Sequence, residues 1–324
     1  MRNKVTLVGA CCASMFALAA TGVHAQSYPI KPIRMIVPYP PGGGTDIVGR
    51  MVAQKLAENF GQTVVVDNRG GAAGNIGSEI AARSAPDGYT ILMGNVAPNA
   101  INVSLYARLG YDPVRDFEPV SLVASTPNIL VVQPSLAVKT VGDLMALARS
   151  KPGTLNYPSA GLGSSSHLAG ELFDTIAAVK MVHIPYKGGG PALTDLLGGQ
   201  VQLMFATMPA AMPHVRSGKL RAIAVTSARR SPAMPELPTI GETLKDYAAA
   251  TWYGVLAPAR TPRTIVMVLH GEVVKILGVT ETRDKLLLQG FEPVGGTPGE
   301  FGAHIKAEIA KWGKIIKAAG IKAE

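Results

Sequence analysis

The sequence contains almost no cysteine. Its 324 residues include only Cys11 and Cys12, and both lie within the first 25 residues. The rest of the chain therefore has no residue for a disulfide, a thiol nucleophile or a cysteine-bound metal. A chain of about 300 residues can instead rest on a large apolar core, most simply divided between two domains.

The first 25 residues predict a secretory signal that is removed on export. Arg2 and Lys4 precede an apolar stretch that ends in VHA at 23–25, so cleavage is expected before Gln26. A membrane anchor is the alternative, but the apolar run is short and no second run of about 20 apolar residues follows. A lipoprotein cleaved before Cys11 is disfavoured, because almost no apolar segment would precede that cysteine.

Aromatic residues and basic runs are also scarce. Aromatic residues make up 6% of the chain, and the formal net charge of +9 is scattered along it. Because few aromatic side chains are present for bases to stack on, nucleic acid is not a predicted partner. The net positive charge favours small anions instead. The six histidines show no HxxxH spacing, so the sequence predicts no metal site.

Strand and helix patterns alternate along the chain. Hydrophobic residues reach 47%, as expected of buried parallel strands. The segment 31–95 has a βαβαβ pattern, an extended stretch covers 117–135, and a second α/β series continues to about residue 249. A further extended run at 251–258 leads into a mainly helical C-terminal segment that is too small for a third domain.

These patterns predict three units. Residues 1–25 form the signal, residues 26–126 together with 250–324 form one lobe, and residues 127–249 form the other. A chain that crosses twice between lobes forms a hinge with a cleft beside it.

Glycine-rich turns follow several of the predicted strands. Three of them open helices: PYPPGGGTD at 38–46, PSAGLGSSSH at 158–167 and PYKGGGPALTD at 185–195. NRGGAAGN at 68–75 and GNVAPNA at 94–100 are similar in kind. In open α/β sheets, ligands bind beyond the carboxyl ends of the strands, which is where these turns lie.

Such turns suit an anion. The first N–H groups of a helix lack internal partners, the helix dipole adds positive potential, and glycine lets a ligand oxygen approach the backbone. Thr45 or Asp46 is expected to cap or orient the first turn. A single turn of this kind can equally be a tight connection, so the prediction of a carboxylate or phosphate site rests on several turns together.

Known nucleotide and hydrolase motifs are absent from these turns. None reads GxxxxGK[ST], GxGxxG or GxSxG, so no nucleotide cofactor is predicted. Ser164 or Ser166 beside His167 leaves a serine hydrolase as an alternative. Adjacent helical residues point in different directions, however, so a helix N-cap followed by a core or rim histidine is favoured.

Taken together, these motifs resemble the Bug (TctC-like) family of periplasmic solute receptors of tripartite tricarboxylate transporters. The likeness covers essentially the whole chain after the signal. It implies a two-lobed α/β periplasmic binding protein ("Venus flytrap") fold, each lobe a mainly parallel sheet flanked by helices. It also implies a periplasmic, monomeric protein of a Gram-negative bacterium, without catalytic residues, that hands a small carboxylate to membrane permease subunits. A receptor that signals to a kinase is an alternative.

The same resemblance implies a set of ligand-binding residues, in which loop backbone groups and bridging waters hold the carboxylate. The first lobe would offer Tyr39, Gly43, Thr45, Asp46, Val96 and Ala97, and the second lobe Ser159, Gly163, Ser164, Ser166, Lys187 and Gly188.

One stretch departs from the family pattern. Relatives often carry acids in a VDLMFD-like segment, which here reads VQLMFA with Gln202 and Ala206. An acid at the second of these positions could pair with a ligand ammonium group. Its absence favours a ligand without a positive charge: a dicarboxylate, a hydroxy acid or an aromatic carboxylate.

Overall fold

Ten strands and ten α-helices lie within residues 28–321, the part of the chain that the computed structural model describes. The predicted signal lies outside this range. The strands are β1 (Ile33–Val37), β2 (Val64–Asn68), β3 (Thr90–Asn95), β4 (Phe117–Val132), β5 (Asn156–Ser159), β6 (Val182–Pro185), β7 (Leu203–Thr207), β8 (Arg221–Val225), β9 (Ala250–Pro258) and β10 (Glu292–Pro293). The helices are α1 (Gly44–Phe60), α2 (Asn75–Ala82), α3 (Asn102–Leu105), α4 (Val141–Ser150), α5 (Ser165–Ala177), α6 (Gly189–Leu197), α7 (Met208–Arg216), α8 (Arg263–Gly278), α9 (Thr280–Leu288) and α10 (Pro298–Ala319).

The sheet of the first lobe has the order β10-β4-β9-β3-β1-β2. Strand β1 pairs in parallel with β2 and β3, whereas β9 pairs antiparallel with both β3 and β4. Four of the six strands therefore run in one direction. Because parallel strands end at the same edge, the turns that follow β1, β2 and β3 lie together.

The second lobe is built around the other half of β4. Strands β7 and β8 lie on its two sides and run antiparallel to it. Strand β5 pairs in parallel with β6. The backbone of Gln202, just before β7, donates to the carbonyl of Asn156 in β5.

Strand β4 is shared by both lobes. It pairs with β9 from Phe117 to Pro127 and with β7 from Asn128 to Val132. The buried hydroxyl of Thr226 accepts a hydrogen bond from the amide of Asn128 at 2.8 Å and donates to the carbonyl of Ala249 at 2.6 Å. One side chain thus links the backbone at Asn128 to the backbone at Ala249.

The alternation of side chains along the strands explains why both faces of the first sheet are covered. In β1, Ile33, Met35 and Val37 pack into one core, whereas Ile36 packs into another on the opposite face. Neighbouring side chains of a strand point to opposite faces, so a strand buried on both sides reads as a continuous apolar run.

The C-terminal segment covers the first sheet. Helix α8 contributes apolar side chains such as Leu269 and Val273 to the core that contains Ile33. Helix α10 places Phe301 edge-on against Trp252 of β9, with ring centres 5.5 Å apart.

Candidate ligand-binding cleft

A cavity lies where the two lobes meet. It is partly open to solvent, and every residue that lines it is uncharged. The first lobe and β9 contribute Tyr39, Gly43, Gly44, Thr45, Asn95 and Tyr253. The second lobe contributes Ala160, Ser164, Ser165, Ser166, Gly189 and Thr207, with an apolar side formed by Leu193, Met204, Ala206 and Ala210.

The start of α1 forms the first-lobe wall of the cavity. Gly42 has φ +91°, in the left-handed region that favours glycine, and its amide donates to the Asp46 carboxylate at 3.0 Å. Arg50 and Asn68 also donate to this buried carboxylate. Burial alone would raise the pKa of Asp46, but these hydrogen bonds together hold it below its usual value. Asp46 therefore fixes the turn as an ionised anchor.

Two further side chains order the same wall. Asn95, at the end of β3, donates to the hydroxyl of Thr45 at 2.9 Å, which leaves the Thr45 proton available to another acceptor. The hydroxyl of Tyr39 donates to the carbonyl of Ala73 at 2.8 Å.

The second-lobe wall is the turn that leads into α5. The hydroxyl of Ser164 caps the helix by accepting from the amide of His167, and it lies 3.0 Å from the hydroxyl of Ser166. The ring Nδ1 of buried His167 accepts from the amide of Gly163 at 3.0 Å. The predicted N-cap and buried histidine are both confirmed.

A polar cluster lies behind this wall. His167 stacks on His183 with ring centres 4.0 Å apart, and His183 Nε2 lies 2.6 Å from the hydroxyl of Ser159. Burial, with His167 adding to it, lowers the pKa of His183 to about 3. The Glu171 carboxylate lies 3.5 Å from His167 Nε2 and accepts from the hydroxyl of Tyr157 at 2.6 Å. The spacing of the histidines in the sequence gave no sign that two of them meet.

The lobes touch one another around the cavity. The hydroxyl of Tyr106 donates to the carbonyl of Leu162 across the cleft at 3.0 Å. A methyl group at Gly163 would lie 2.3 Å from the side-chain oxygen of Asn102, and one at Gly188 would lie 2.8 Å from the ring of Pro40. Both glycines have positive φ values, so the close approach of the lobes and the backbone conformation each favour glycine there.

Comparison with known proteins identifies the family. The profile described as "Tripartite tricarboxylate transporter family receptor" matches residues 48–321. The chain belongs to this family. Protein BugT of Bordetella pertussis is 41% identical over 307 residues, which cover 94% of both proteins. The predicted resemblance is confirmed.

Solved structures agree with this assignment and with the two-lobed fold. One, described as R. palustris Rpa4515 with adipate, is 42% identical, has a TM-score of 0.89 and covers 91% of this chain and 99% of its own. Another, described as MatC (Rpa3494) from Rhodopseudomonas palustris with bound malate, is 30% identical, has a TM-score of 0.84 and covers 89% of this chain and 100% of its own.

Five of the ligand-binding residues predicted for this receptor line the cavity. They are Tyr39, Gly43, Thr45, Ser164 and Ser166. Lys187 lines an adjoining, partly open cavity that shares Tyr39 and Ala160 with the first. The remaining predicted residues line neither of these two cavities: Asp46, Val96, Ala97, Ser159, Gly163 and Gly188.

The turn at 94–100 differs from the expected glycine turn. Gly94 lies within β3, where a methyl group would meet the side chains of Asn99 and Leu256 at 2.6 and 2.7 Å. The amide of Ala97 donates to the side chain of Asn95 at 3.1 Å. Gly94 therefore allows the side chains of Asn99 and Leu256 to pack against the strand. The amide of Ala97 already has a hydrogen-bond partner, the side chain of Asn95.

Other cavity residues were not found from the sequence. Gly44 and Gly189 belong to the predicted turns but are offset by one position from Gly43 and Gly188. Thr207 ends β7, so its place at a strand end was a usable signal. Tyr253 lies within β9 and has no local motif, because only strand pairing brings it to the cavity.

The two positions of the VQLMFA stretch have different surroundings. The side-chain oxygen of Gln202 accepts from the amide of Asn156 at 2.9 Å, between β5 and β7. Ala206 lines the cavity. An acid at position 206 would therefore face the cavity, and in this receptor that position holds only the methyl group of alanine.

No helix within residues 28–321 is both long and apolar enough to span a membrane.

Proposed function

We propose that this receptor is exported to the periplasm, captures a small organic acid in the cleft and delivers it to the permease subunits of a tripartite tricarboxylate transporter. Family membership supports the transport role. Two solved relatives carry adipate and malate, both of which are dicarboxylates. The receptor would act as a monomer and without covalent chemistry.

The arrangement of helix N-termini around an uncharged cavity carries this proposal. Helices α1, α5 and α6 each begin at residues that line it: Gly44, Ser165 and Gly189. Their first N–H groups lack intrahelical partners, and the aligned peptide dipoles add positive potential at the same ends. A carboxylate placed there is stabilised by donors from both lobes without a cationic side chain.

The residues near the cavity then divide by role. We propose direct contact with the solute for Tyr39, Gly43, Thr45, Ser164 and Ser166. Asp46, Ser159, Gly163 and Gly188 would hold the turns in place, Val96 and Ala97 would support the end of β3, and Lys187 would attract anions at the adjoining cavity.

The solute would lack an ammonium group. Every lining residue is uncharged, and Ala206 stands where an acid could have paired with a cation. Burying an unpaired ammonium group is costly, so amino acids would be rejected. Dicarboxylates, hydroxy acids and aromatic carboxylates remain as the favoured class.

Binding would close the lobes about the hinge. We propose that residues 127–249 move as one lobe against the rest, with Thr226 near the pivot. A solute that contacts Thr45 in one lobe and Ser164 in the other favours the closed state, because those contacts exist together only when the lobes meet.

A thermal-shift screen with small carboxylates tests the proposal. Adipate, malate and benzoate would be compared with glutamate, aspartate and lysine at equal concentration. At least one of the first three should raise the melting temperature, since a ligand present at 100 times its Kd adds about 2.7 kcal/mol of stability. Shifts with the amino acids alone, or with no acid at all, would refute the proposed ligand class.

The absence of covalent chemistry has its own test. Both ring nitrogens of His167 face groups other than a serine hydroxyl, namely the amide of Gly163 and the Glu171 carboxylate. The receptor should therefore not hydrolyse chromogenic esters above the background rate. Turnover that Ser166→Ala abolishes would show instead that the turn is catalytic.

A further inference from the structure

The side chain of Tyr253 reaches the cavity from β9 with its hydroxyl unsatisfied. The residue is fully buried, and its oxygen has no hydrogen-bond partner among the described residues. Its ring is held edge-on by Phe291, with centres 5.5 Å apart. A buried hydroxyl without a partner costs free energy, so its presence at a ligand cavity calls for a partner that arrives with the ligand.

The hydroxyl lies at the start of α1. A methyl group at Gly44 would lie 2.4 Å from the Tyr253 oxygen and 3.3 Å from the hydroxyl oxygen of Thr207. Three elements therefore converge on the same small space: the first residue of α1, the end of β7 in the second lobe, and β9. The bare Cα of Gly44 leaves that space open.

The neighbouring tyrosine of the cavity provides a contrast. The hydroxyl of Tyr39 already donates to the carbonyl of Ala73. The hydroxyl of Tyr253 makes no such bond, and it remains a neutral donor at ordinary pH because burial raises its pKa. Of these two phenols, Tyr253 is the one free to donate to a solute.

We propose that Tyr253 is a specificity-determining ligand-binding residue, whose hydroxyl donates a hydrogen bond to a carboxylate oxygen of the solute at the N-terminus of α1. Thr207 supplies a second hydroxyl to the same group from the other lobe. The inference rests on the proposed capture of an organic acid and adds the residue that recognises it.

A free Tyr253 hydroxyl favours a solute that places an oxygen acceptor beside it. Leu193, Met204 and Ala210, which also line the cavity, offer mainly apolar contacts. The acid is therefore expected to place its carboxylate beside Tyr253 and its carbon skeleton against these side chains. A solute without an acceptor at that place would leave the hydroxyl unsatisfied and would bind weakly.

The test is calorimetric titration of the unmodified receptor and of Tyr253→Phe with whichever of adipate, malate and benzoate gives the largest thermal shift. Loss of a hydrogen bond to a charged group should weaken binding roughly 10- to 100-fold. The melting temperature of the ligand-free variant should stay the same or rise, because the substitution removes only an unpaired polar atom. That combination distinguishes ligand recognition from a structural role.

Tyr28→Phe is the matched control. The hydroxyl of Tyr28 donates to the carbonyl of Gly88 at 2.6 Å and lies outside the cavity lining. This variant should lose thermal stability and keep its affinity within about twofold. Equal affinities for Tyr253→Phe and the unmodified receptor would overturn the inference while leaving the proposed function intact. If none of the three acids shifted the unmodified receptor, both would fall.

Discussion

The hydroxyl of Ser159 lies 2.6 Å from Nε2 of His183, at the back of the turn that forms the second-lobe wall. His183 also stacks on His167, and neither histidine lines the cavity. The imidazole of His183 is thus enclosed as a neutral group, and this arrangement has consequences for stability as the pH changes.

We expect His183 to destabilise the receptor in acid. An unfolded histidine binds its proton near pH 6.5, whereas the folded pKa of His183 is about 3. Between these values the unfolded state binds more protons, so this contribution to the free energy of unfolding falls as the pH is lowered from about 6.5 towards 3. Urea unfolding at several pH values should show a shallower acid loss in His183→Gln. An identical pH profile in both proteins would contradict the assignment.

Asp174 provides a comparison of opposite sign. Burial, reinforced by Glu171, raises the pKa of Asp174 to about 7, above its unfolded value near 3.9. The folded state therefore binds more protons between these values, and this contribution to stability is present in acid and lost as the pH rises to 7. Asp174→Asn should remove that loss, so relative to the unmodified receptor it should gain stability between pH 5 and 8. A constant difference across this range would argue against a raised pKa.

Gly163→Ala should weaken both folding and binding. The residue has φ +81°, and the new methyl group would lie 2.3 Å from the side-chain oxygen of Asn102 in the other lobe. The strained backbone costs about 1–2 kcal/mol, and the collision additionally opposes lobe closure. Calorimetry should show an affinity at least about tenfold lower.

Gly153→Ala separates the two effects. Gly153 has φ +72°, and a methyl group there would meet nothing within 4 Å. Its variant should show the backbone cost in urea unfolding but retain full affinity. If both variants bound equally well, the contact between Gly163 and Asn102 would not limit closure.

Gly44→Ala should be partly rescued by Tyr253→Phe. The added methyl group would press on the Tyr253 oxygen at 2.4 Å, and the next ring atom lies farther away at 3.2 Å. We expect the single variant to lose about 1–3 kcal/mol of stability and the double variant to recover part of it. Gly43→Ala, whose methyl group would meet nothing within 4 Å, should lose no more than about 1 kcal/mol, as for alanine at an N-cap. Additive losses in the double variant would show that the two residues do not interact.

Asp46→Asn should lower the stability of the first-lobe turn. The carboxylate accepts from Gly42, Arg50 and Asn68, and an amide can satisfy only some of these donors. The expected loss is about 1–3 kcal/mol in chemical unfolding. Glu281→Gln, which disrupts an exposed pair with Lys285, should cost much less, because water screens an exposed ion pair. Similar losses from both would mean that Asp46 does not anchor the turn.

Ala206→Asp should change the ligand class. A carboxylate inside the cavity would repel a bound acid and offer a partner to an ammonium group, so affinity for the preferred acid should fall at least about tenfold. Gln202→Glu is the control, because its side-chain oxygen would still accept from Asn156 outside the lining. Unchanged acid binding in Ala206→Asp would place the solute elsewhere in the cleft.

The order of elements was predictable because each segment carries its own periodicity. The apolar run of β1 and the helical spacing of α1 are local properties. The glycine turn between them is likewise visible as a run of neighbouring residues. The same holds for Ser164, whose capping role follows from its place just before a helix. Tyr253 had no comparable signal, because only strand pairing brings it to the cavity, and Thr207 offered only its place at the end of a strand.

The amino-acid sequence by itself determined the alternation of strands and helices, the glycine turns at their junctions and the family of the receptor, since all of these depend on neighbouring residues along the chain. The tertiary structure alone decided which of those turns face one cavity, that His167 meets His183, and that an unpaired tyrosine hydroxyl lies over Gly44. Those relationships join residues far apart in the chain. They arise from strand pairing and lobe contact, which no single segment encodes.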